Sequence, residues 1–513
     1  MREHLRDFGE QCRERLTKFY LDAAERLPPF RLGPIHDLQH IRERERRDSA
    51  NLHARTRPPS GAEVSYTGFR LMELFPAEEY DKLLVGLRRL FPFKAYGRDQ
   101  IDRLSTTAPD LFHGGWSNIG TLVRENKWLG TIDKRVVPEL PADVDFVNVG
   151  VHKVLPSAVV VAFDAQLSNS ASTKLKELHS RRYLPRTVFH RFSPFSKHGI
   201  IGRSQFPVEW GMQDALLHWE RSLHQGVEQI ITSYLRGFFN RTGQNRNRLP
   251  VVDCFSLTGI PQGDEDIHTR MAPCSGWLES AAIQPDRSPL HNYLRNDLMF
   301  VWEEHREGRI PVGFRFVQLY SDPPAPDPSK LQGFAALGDE LDAVLPYVCF
   351  LEAVKRLREH VERLRLQVYK SLTRTAWFHK RFGAEIRLND RVQREAMFVE
   401  RLLLELNDCK TWLKGKLKQL RDMTQKVGRE RKEFALTDAL DRSLTFNLSN
   451  VRKHLAMVAK TFSDYIARRN TTLMYRLQWQ VWLLSFIAAL AAIGSIVTNW
   501  SQLRQAVATM LKH

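Results

Sequence analysis

Between Arg476 and Arg504 the chain carries no charged side chain. Its densest apolar part, Val481 to Val497, contains no Asn, Gln or Pro either. A helix over Leu477–Trp500 rises about 36 Å at about 1.5 Å per residue, and the hydrocarbon core of a bilayer is about 30 Å thick. Trp479, Trp482 and Trp500 stand near the ends of this stretch and Arg476 just before it. Aromatic rings and basic side chains of that kind anchor a helix at the headgroup level. The stretch therefore reads as one transmembrane helix. The alternative is a buried helix in a large soluble core.

Polar and small residues are not scattered within the span. Gln478, Val481, Ser485, Ala488, Ala492, Ser495, Asn499 and Gln502 advance by alternating steps of three and four, so they fall on one stripe. Small residues allow close approach of helices in lipid, where apolar burial gives little drive. The stripe fits a dimer or trimer seam. It also fits the lining of a narrow pore in a higher oligomer, with Ala488 and Ala492 at an apolar constriction.

Upstream, proline use changes abruptly. All 25 prolines lie at or before Pro346, and only four of the 28 glycines follow it. Proline costs about 3 kcal/mol in a helix interior, so its absence points to nearly continuous helix. Val354, Leu357, Val361, Leu364 and Val368 repeat at heptad spacing. So do Val399, Leu402, Leu406, Cys409 and Leu413, and again Val451, Leu455, Val458, Phe462 and Tyr465. With breaks at Gly383 and Gly428, helices are expected over 338–380, 385–427 and 434–503. The first two can form a hairpin, the third runs on into the bilayer, and the seams suit packing between chains or, alternatively, a plain antiparallel bundle within one.

The formal charge of +17 is localised. Residues 347–476 hold 29 Lys and Arg against 15 Asp and Glu, whereas residues 1–346 hold 45 against 44. Basic charge leading into a membrane segment suits anionic lipid. Lipid is thus the expected partner rather than nucleic acid. Four basic residues precede the span (Lys460, Arg468, Arg469 and Arg476) and two follow it (Arg504 and Lys512). That bias, and a charged N-terminus in place of a secretory signal, place the head in the cytoplasm. The five cysteines form no CxxC pair, which argues against a disulfide framework or a thiolate zinc site.

The first 320 residues mix helix and strand signals without a βαβ rhythm, which suggests α+β. Helices are expected at 2–26, 77–90 and 211–240, and a hairpin at Val144–Val154 and Ala158–Phe163. Leu249–Leu257 reads as a buried strand. Arg309–Leu319 reads as an alternating one, with Ile310, Val312, Phe314 and Phe316 on one face. Residues 42–62 read as a helix end and solvated loop. No phosphate-loop, dinucleotide, nucleophile-elbow or zincin motif occurs. Asp253 with Asp264, Glu265, Asp266 and His268 could hold a hard cation, although a solvated acidic loop has the same composition. His36, Asp37 and His40 could form a metal pair. His113-Gly114-Gly115 could approach an anion, and His190 and His198 among basic residues a phosphorylated ligand; ordinary turns and surface loops explain each better. No catalytic set is found, and the cofactor stays unknown.

The whole is an α+β cytosolic head (1–320), a proline-rich linker (321–337) and an all-α hairpin or coiled-coil stalk (338–476). One C-terminal transmembrane helix (477–500) and a short tail (501–513) follow. In outline this resembles the CorA-type membrane channels. Those have a second span and a Gly-Met-Asn motif, where this chain has one span and reads Gly494-Ser495-Ile496-Val497-Thr498-Asn499. The resemblance implies a homo-oligomer whose cytosolic head senses a ligand or partner and controls a small pore. The alternatives are a membrane-anchored scaffold that dimerises through the stalk and span, and a tethered enzyme.

Overall fold

The computed structural model describes residues 61–92, 101, 116–125, 134–155, 157–181, 186–192, 200–206, 208–242, 249–259, 292–295, 297–302, 314–320, 333–373, 382–408, 410–427 and 432–511. The expectations for 2–26, for residues 36–40 and for the loop before Gly61 lie outside them. So do those for 112–115, His198, Asp264, Glu265, Asp266, His268 and the linker 321–330. The chain divides into two compact units, residues 1–350 with 409–442, and residues 351–408 with 443–513.

The first unit is built on an eleven-stranded mixed sheet. Its strands in chain order are β1 (Glu63–Pro76), β2 (Trp116–Val123), β3 (Lys134–Val136), β4 (Val144–Leu155) and β5 (Ala158–Leu167). A separate two-stranded sheet pairs β6 (Arg186–Phe192) with β7 (Ile200–Phe206). The main sheet continues with β8 (Val251–Thr258), β9 (Asn292–Arg295), β10 (Leu298–Trp302), β11 (Phe314–Leu319), β12 (Thr424–Val427) and β13 (Lys432–Ala435). The spatial order is β13-β12-β9-β10-β11-β8-β1-β5-β4-β2-β3. Central β1 runs antiparallel to both β5 and β8, and β8 runs parallel to β11. The β4–β5 hairpin forms as its apolar runs require. Valines and phenylalanines fill both faces of the central strands, as suits a sheet covered on both sides.

Helices cover the sheet. A 3₁₀ turn (Ala77–Glu79) leads into α1 (Tyr80–Leu90), which buries Leu83, Leu84, Leu87 and Leu90. Arg135 closes the end of α1 by donating to the carbonyls of Arg89 and Leu90 at 2.8 and 2.6 Å. Next come α2 (Asn169–Ser180) and α3 (Val208–Tyr234), which buries Leu216, Leu223, Val227 and Ile231. The single helix expected over 211–240 is interrupted. Residues 235–237 leave the helix, and α4 (Phe238–Thr242) starts anew with the buried Glu73 carboxylate accepting the N–H groups of Phe239 and Asn240.

Two expectations are corrected. Residues 314–319 do not alternate between core and solvent: all six are buried, and Arg315 lies fully inside. The expected helix over 385–427 also fails. α5 (Gly338–Thr373) is followed by α6 (Phe382–Asp408), then α7 (Lys410–Lys416), a 3₁₀ turn (Leu417–Leu420) and the β12–β13 hairpin. The hairpin extends the sheet of the first unit, through Thr424 opposite Leu294 of β9. Leu413, Leu417, Leu420, Met423, Leu436 and Leu440 are buried around it. Lack of proline removes an obstacle to helix but does not choose it; sheet pairing and this apolar cluster decide the segment.

The second unit is helical, made of the later part of α5, of α6, and of α8 (Leu436–Met510) from residue 443. Val354, Leu357 and Val361 of α5, Val392 of α6, and Leu444, Leu448, Val451, Leu455, Val458 and Phe462 of α8 are buried. These heptad positions are covered within one chain, so they do not by themselves require a second. Arg452 of α8 pairs with Glu400 of α6 at 2.7 Å.

Gly259, just after β8, has φ of +76°, and a Cβ there would collide with the backbone oxygen of Gly61. Gly259→Ala should cost about 1–3 kcal/mol, read as a lower denaturation midpoint of the purified protein in detergent.

Candidate functional site

Two features of the chain demand a functional account. The first is a layer of polar side chains enclosed between α3 and the sheet. Tyr66 of β1, Asp253 of β8, Arg315 of β11, and Glu220 and His224 of α3 converge there, all buried. The Tyr66 hydroxyl donates to Asp253 Oδ1 at 2.5 Å, and His224 Nε2 lies 2.8 Å from that oxygen and 2.9 Å from the Tyr66 hydroxyl. A ring nitrogen this close to a carboxylate carries the proton, so Nε2–H is the donor. Arg315 Nη2 donates to Glu220 Oε2 at 2.5 Å, and its Nε stands 3.9 Å from Asp253 Oδ2.

Secondary structure sets this convergence. Glu220 and His224 are one turn apart on α3, hence on one face. Asp253 and Arg315 are register partners across the parallel β8–β11 pair. Aromatic rings close the layer: Phe255 stacks on Tyr66 at 4.6 Å, Trp219 meets it edge-on at 5.8 Å, and Phe69 meets His224 at 4.6 Å.

The electrostatics follow from this enclosure. Burial pushes the Tyr66 phenol well up, and the charge of Asp253 adds to it. Burial drives the Glu220 carboxyl up to about 7, against the pull of Arg315. Burial would raise Asp253 too, but His224 and Arg315 outweigh it and hold that carboxyl below its ordinary value. Tyr66, His224 and Asp253 make a donor chain of the kind used in acid–base chemistry, yet none exceeds 5% exposure. A substrate atom must come within hydrogen-bond reach of such a group. Here those positions are taken by protein, and the layer works as an internal clamp.

The opposite face of β1 carries a second cluster. Arg70 donates to both carboxylate oxygens of Asp164 and, through Nη1, to Asp342 in the first turns of α5 at 2.6 Å. That guanidinium is held further into its charged form by Asp164 and Asp342, although burial opposes it.

The second feature is α8. Phe462 is its last buried residue among those described; from Ser463 to Leu511 none is buried. One stretch of this helix is long and apolar enough to cross a membrane, and none of it is covered by protein. Gln478, Ser485, Ala488, Ala492, Ser495 and Asn499 all lie exposed along the stripe, and the anchors Arg476, Trp479, Trp482 and Trp500 are exposed too. Trp482 stacks on Phe486 at 5.7 Å, one turn away. Before the span, Thr471 and Thr472 return their hydroxyls to the carbonyls of Ala467 and Arg468, both at 2.9 Å.

Asp253 lies within β8, where its carboxylate is hydrogen-bonded to Tyr66 and His224 and stands 3.9 Å from Arg315 Nε. Its proposed companions Asp264, Asp266 and His268 are outside the described residues. Among the described residues no three His, Cys, Asp or Glu side chains gather as a metal site. Sequence reasoning missed Tyr66, Glu220, His224 and Arg315. The available signal was a polar pair one turn apart within the apolar pattern of α3, and an arginine inside a strand. No protein-family model, no curated protein and no solved structure matches this chain.

Arg315→Ala leaves two buried carboxylates without their guanidinium and should cost about 3–5 kcal/mol. Tyr66→Phe removes one donor to Asp253 and should cost about 1–3 kcal/mol. Urea unfolding followed by tryptophan fluorescence gives the order.

Proposed function

We propose that this chain is a single-span membrane protein, that its α/β head is cytoplasmic, and that copies associate in the bilayer through the small-residue stripe. The uncovered stripe on a helix of membrane-spanning length carries the reading. An isolated helix without tertiary packing is marginal in water. The turns from Leu477 to Trp500 would also expose an apolar surface far larger than a soluble monomer tolerates. Lipid supplies the missing environment for the aromatic and aliphatic sides. Lipid does not need Gln478, Ser485, Ser495 and Asn499 aligned with Ala488 and Ala492; a neighbouring helix or a narrow aqueous path does.

The finer reading is a ring of these helices around a narrow pore. Ala488 and Ala492 form its apolar constriction, and the state of the head controls it through a ligand or partner. The outline shared with CorA-type channels belongs to this proposal. Exposed Arg468 and Arg476 on the head side against Arg504 beyond the span support the orientation.

Two measurements test this. A cysteine appended after His513 should react with an impermeant thiol reagent on intact cells; protection there, with labelling of the head, reverses the topology. In liposomes, Ala488→Leu or Ala492→Leu should abolish ion flux or close assembly while leaving insertion intact, because leucine is well tolerated in hydrocarbon. Leu490→Ala, away from the stripe, should be mild. If the wild type never conducts and the leucine variants only split a dimer, the protein is a membrane tether rather than a channel.

A further inference from the structure

The arginines and tryptophans around the apolar stretch share one side of α8. At about 100° per residue, Arg468, Arg476, Trp479, Trp482, Trp500 and Arg504 fall within about 120° of the helix circumference. The stripe from Gln478 to Gln502 lies on the opposite side. Side chains that served only to hold the helix at depth could stand all round it; these do not. Their heights also agree with a bilayer. The helix rises about 31 Å from Trp479 to Trp500 and about 42 Å from Arg476 to Arg504. A hydrocarbon core is about 30 Å thick, and about 40–45 Å with the headgroup regions. The tryptophans thus stand at the edges of the hydrocarbon, and Arg476 and Arg504 at the level of the phosphates. Exposed Phe486, Leu490, Ile493 and Val497 line the same side between them.

The charge on this side has one sign. From Tyr465 to His513 the sequence holds no Asp or Glu. Arg468 and Arg476 are both exposed, about two turns apart. A guanidinium donates two parallel N–H groups to phosphate oxygens. Phosphatidylcholine offers a phosphate already balanced by its choline, whereas an anionic phospholipid offers net charge. Arg468 lies about 12 Å further out than Arg476, where its long side chain and a Debye length of about 10 Å keep it effective.

We infer that this side of α8 binds anionic phospholipid of the head-side leaflet, with Arg476 and Arg468 on the headgroup and Trp479 and Trp482 against the chains. The inference rests on the membrane reading above and adds the lipid class and the side of the helix that takes it. The uncharged stripe is left to helix contacts, and no arginine lines a pore built on it.

The test is quenching of tryptophan fluorescence by brominated lipid. Full-length protein is reconstituted in vesicles whose brominated component is either phosphatidylglycerol or phosphatidylcholine. Bromine quenches rings in contact with it, so Trp479, Trp482 and Trp500 report their own lipid neighbours. Phosphatidylglycerol should be preferred, by up to about fivefold for each arginine near the surface. Added salt should weaken the preference. Arg468→Gln combined with Arg476→Gln should make the two lipids equivalent while quenching persists. Lys453→Gln combined with Lys460→Gln removes the same charge at least about 24 Å before Arg476 and should leave the preference intact. Equal quenching by both lipids in the wild type overturns the inference and leaves the membrane reading standing. So does a preference that survives the arginine variant or vanishes in the lysine variant. Loss of the preference on adding inorganic phosphate at constant ionic strength assigns the arginines to free anions and overturns it as well. Quenching by neither lipid overturns the membrane reading itself, and this inference with it.

Discussion

A backbone in hydrocarbon has no water to satisfy its N–H and C=O groups, so a lone segment there must be a helix. α8 has the form that this requirement selects, with one stretch long and apolar enough to cross a membrane. Its first turns from residue 443 bury a seam that ends at Phe462. About 20 Å of polar, uncovered helix then separates the seam from Leu477. Within that interval the threonines spend their hydroxyls on the helix's own carbonyls. The segment therefore reaches the apolar stretch as helix without borrowing hydrogen bonds from elsewhere.

The head meets the reverse problem, that of keeping charge out of water. β1 is the common element. Tyr66 on one face joins the layer under α3, while Arg70 on the other grips Asp164 and Asp342. A shift in pairing between Tyr66 and Gly68 opposite β8 lies between the two sets. At Gly68 a Cβ would meet the Ala165 backbone oxygen and the Phe334 ring, so no larger residue fits there without movement. Buried ion pairs add little net stability compared with apolar packing, but each partner becomes costly to remove. The two clusters thus fix which strand lies beneath which helix more than they strengthen the fold.

Much of the architecture was legible in the sequence, for a physical reason in each case. The apolar stretch of α8 was legible because hydrocarbon imposes length and composition at once. The β4–β5 hairpin and α1 were legible because local patterning and packing agree there. The β12–β13 hairpin was not, since Thr424, Val427 and Phe434 have strand character but the neighbouring residues read equally well as helix. Partners far away in sequence, in β9, settle the matter. Arg315 was obscured for a related reason. An arginine between two phenylalanines mimics an edge between core and solvent, and only Glu220 and Asp253, distant in the chain, show why it is inside. Val354, Leu357 and Val361 kept their heptad spacing, but spacing does not tell whether a seam is filled by the same chain or by another.

The path of the chain through the sheet has a practical consequence. The polypeptide leaves the first unit within α5, returns at residue 409, adds two strands beyond β9, and leaves again within α8. The head is therefore discontinuous, and the proline-rich segment before α5 is not its border. Cutting there would strip Asp342 from Arg70 and leave β9 as an open edge, the kind of surface on which sheets aggregate. A head fragment prepared for crystallisation or ligand screening has to carry residues 409–442 with it, spliced or co-expressed. The isolated N-terminal piece would report on its own exposed edge rather than on the domain.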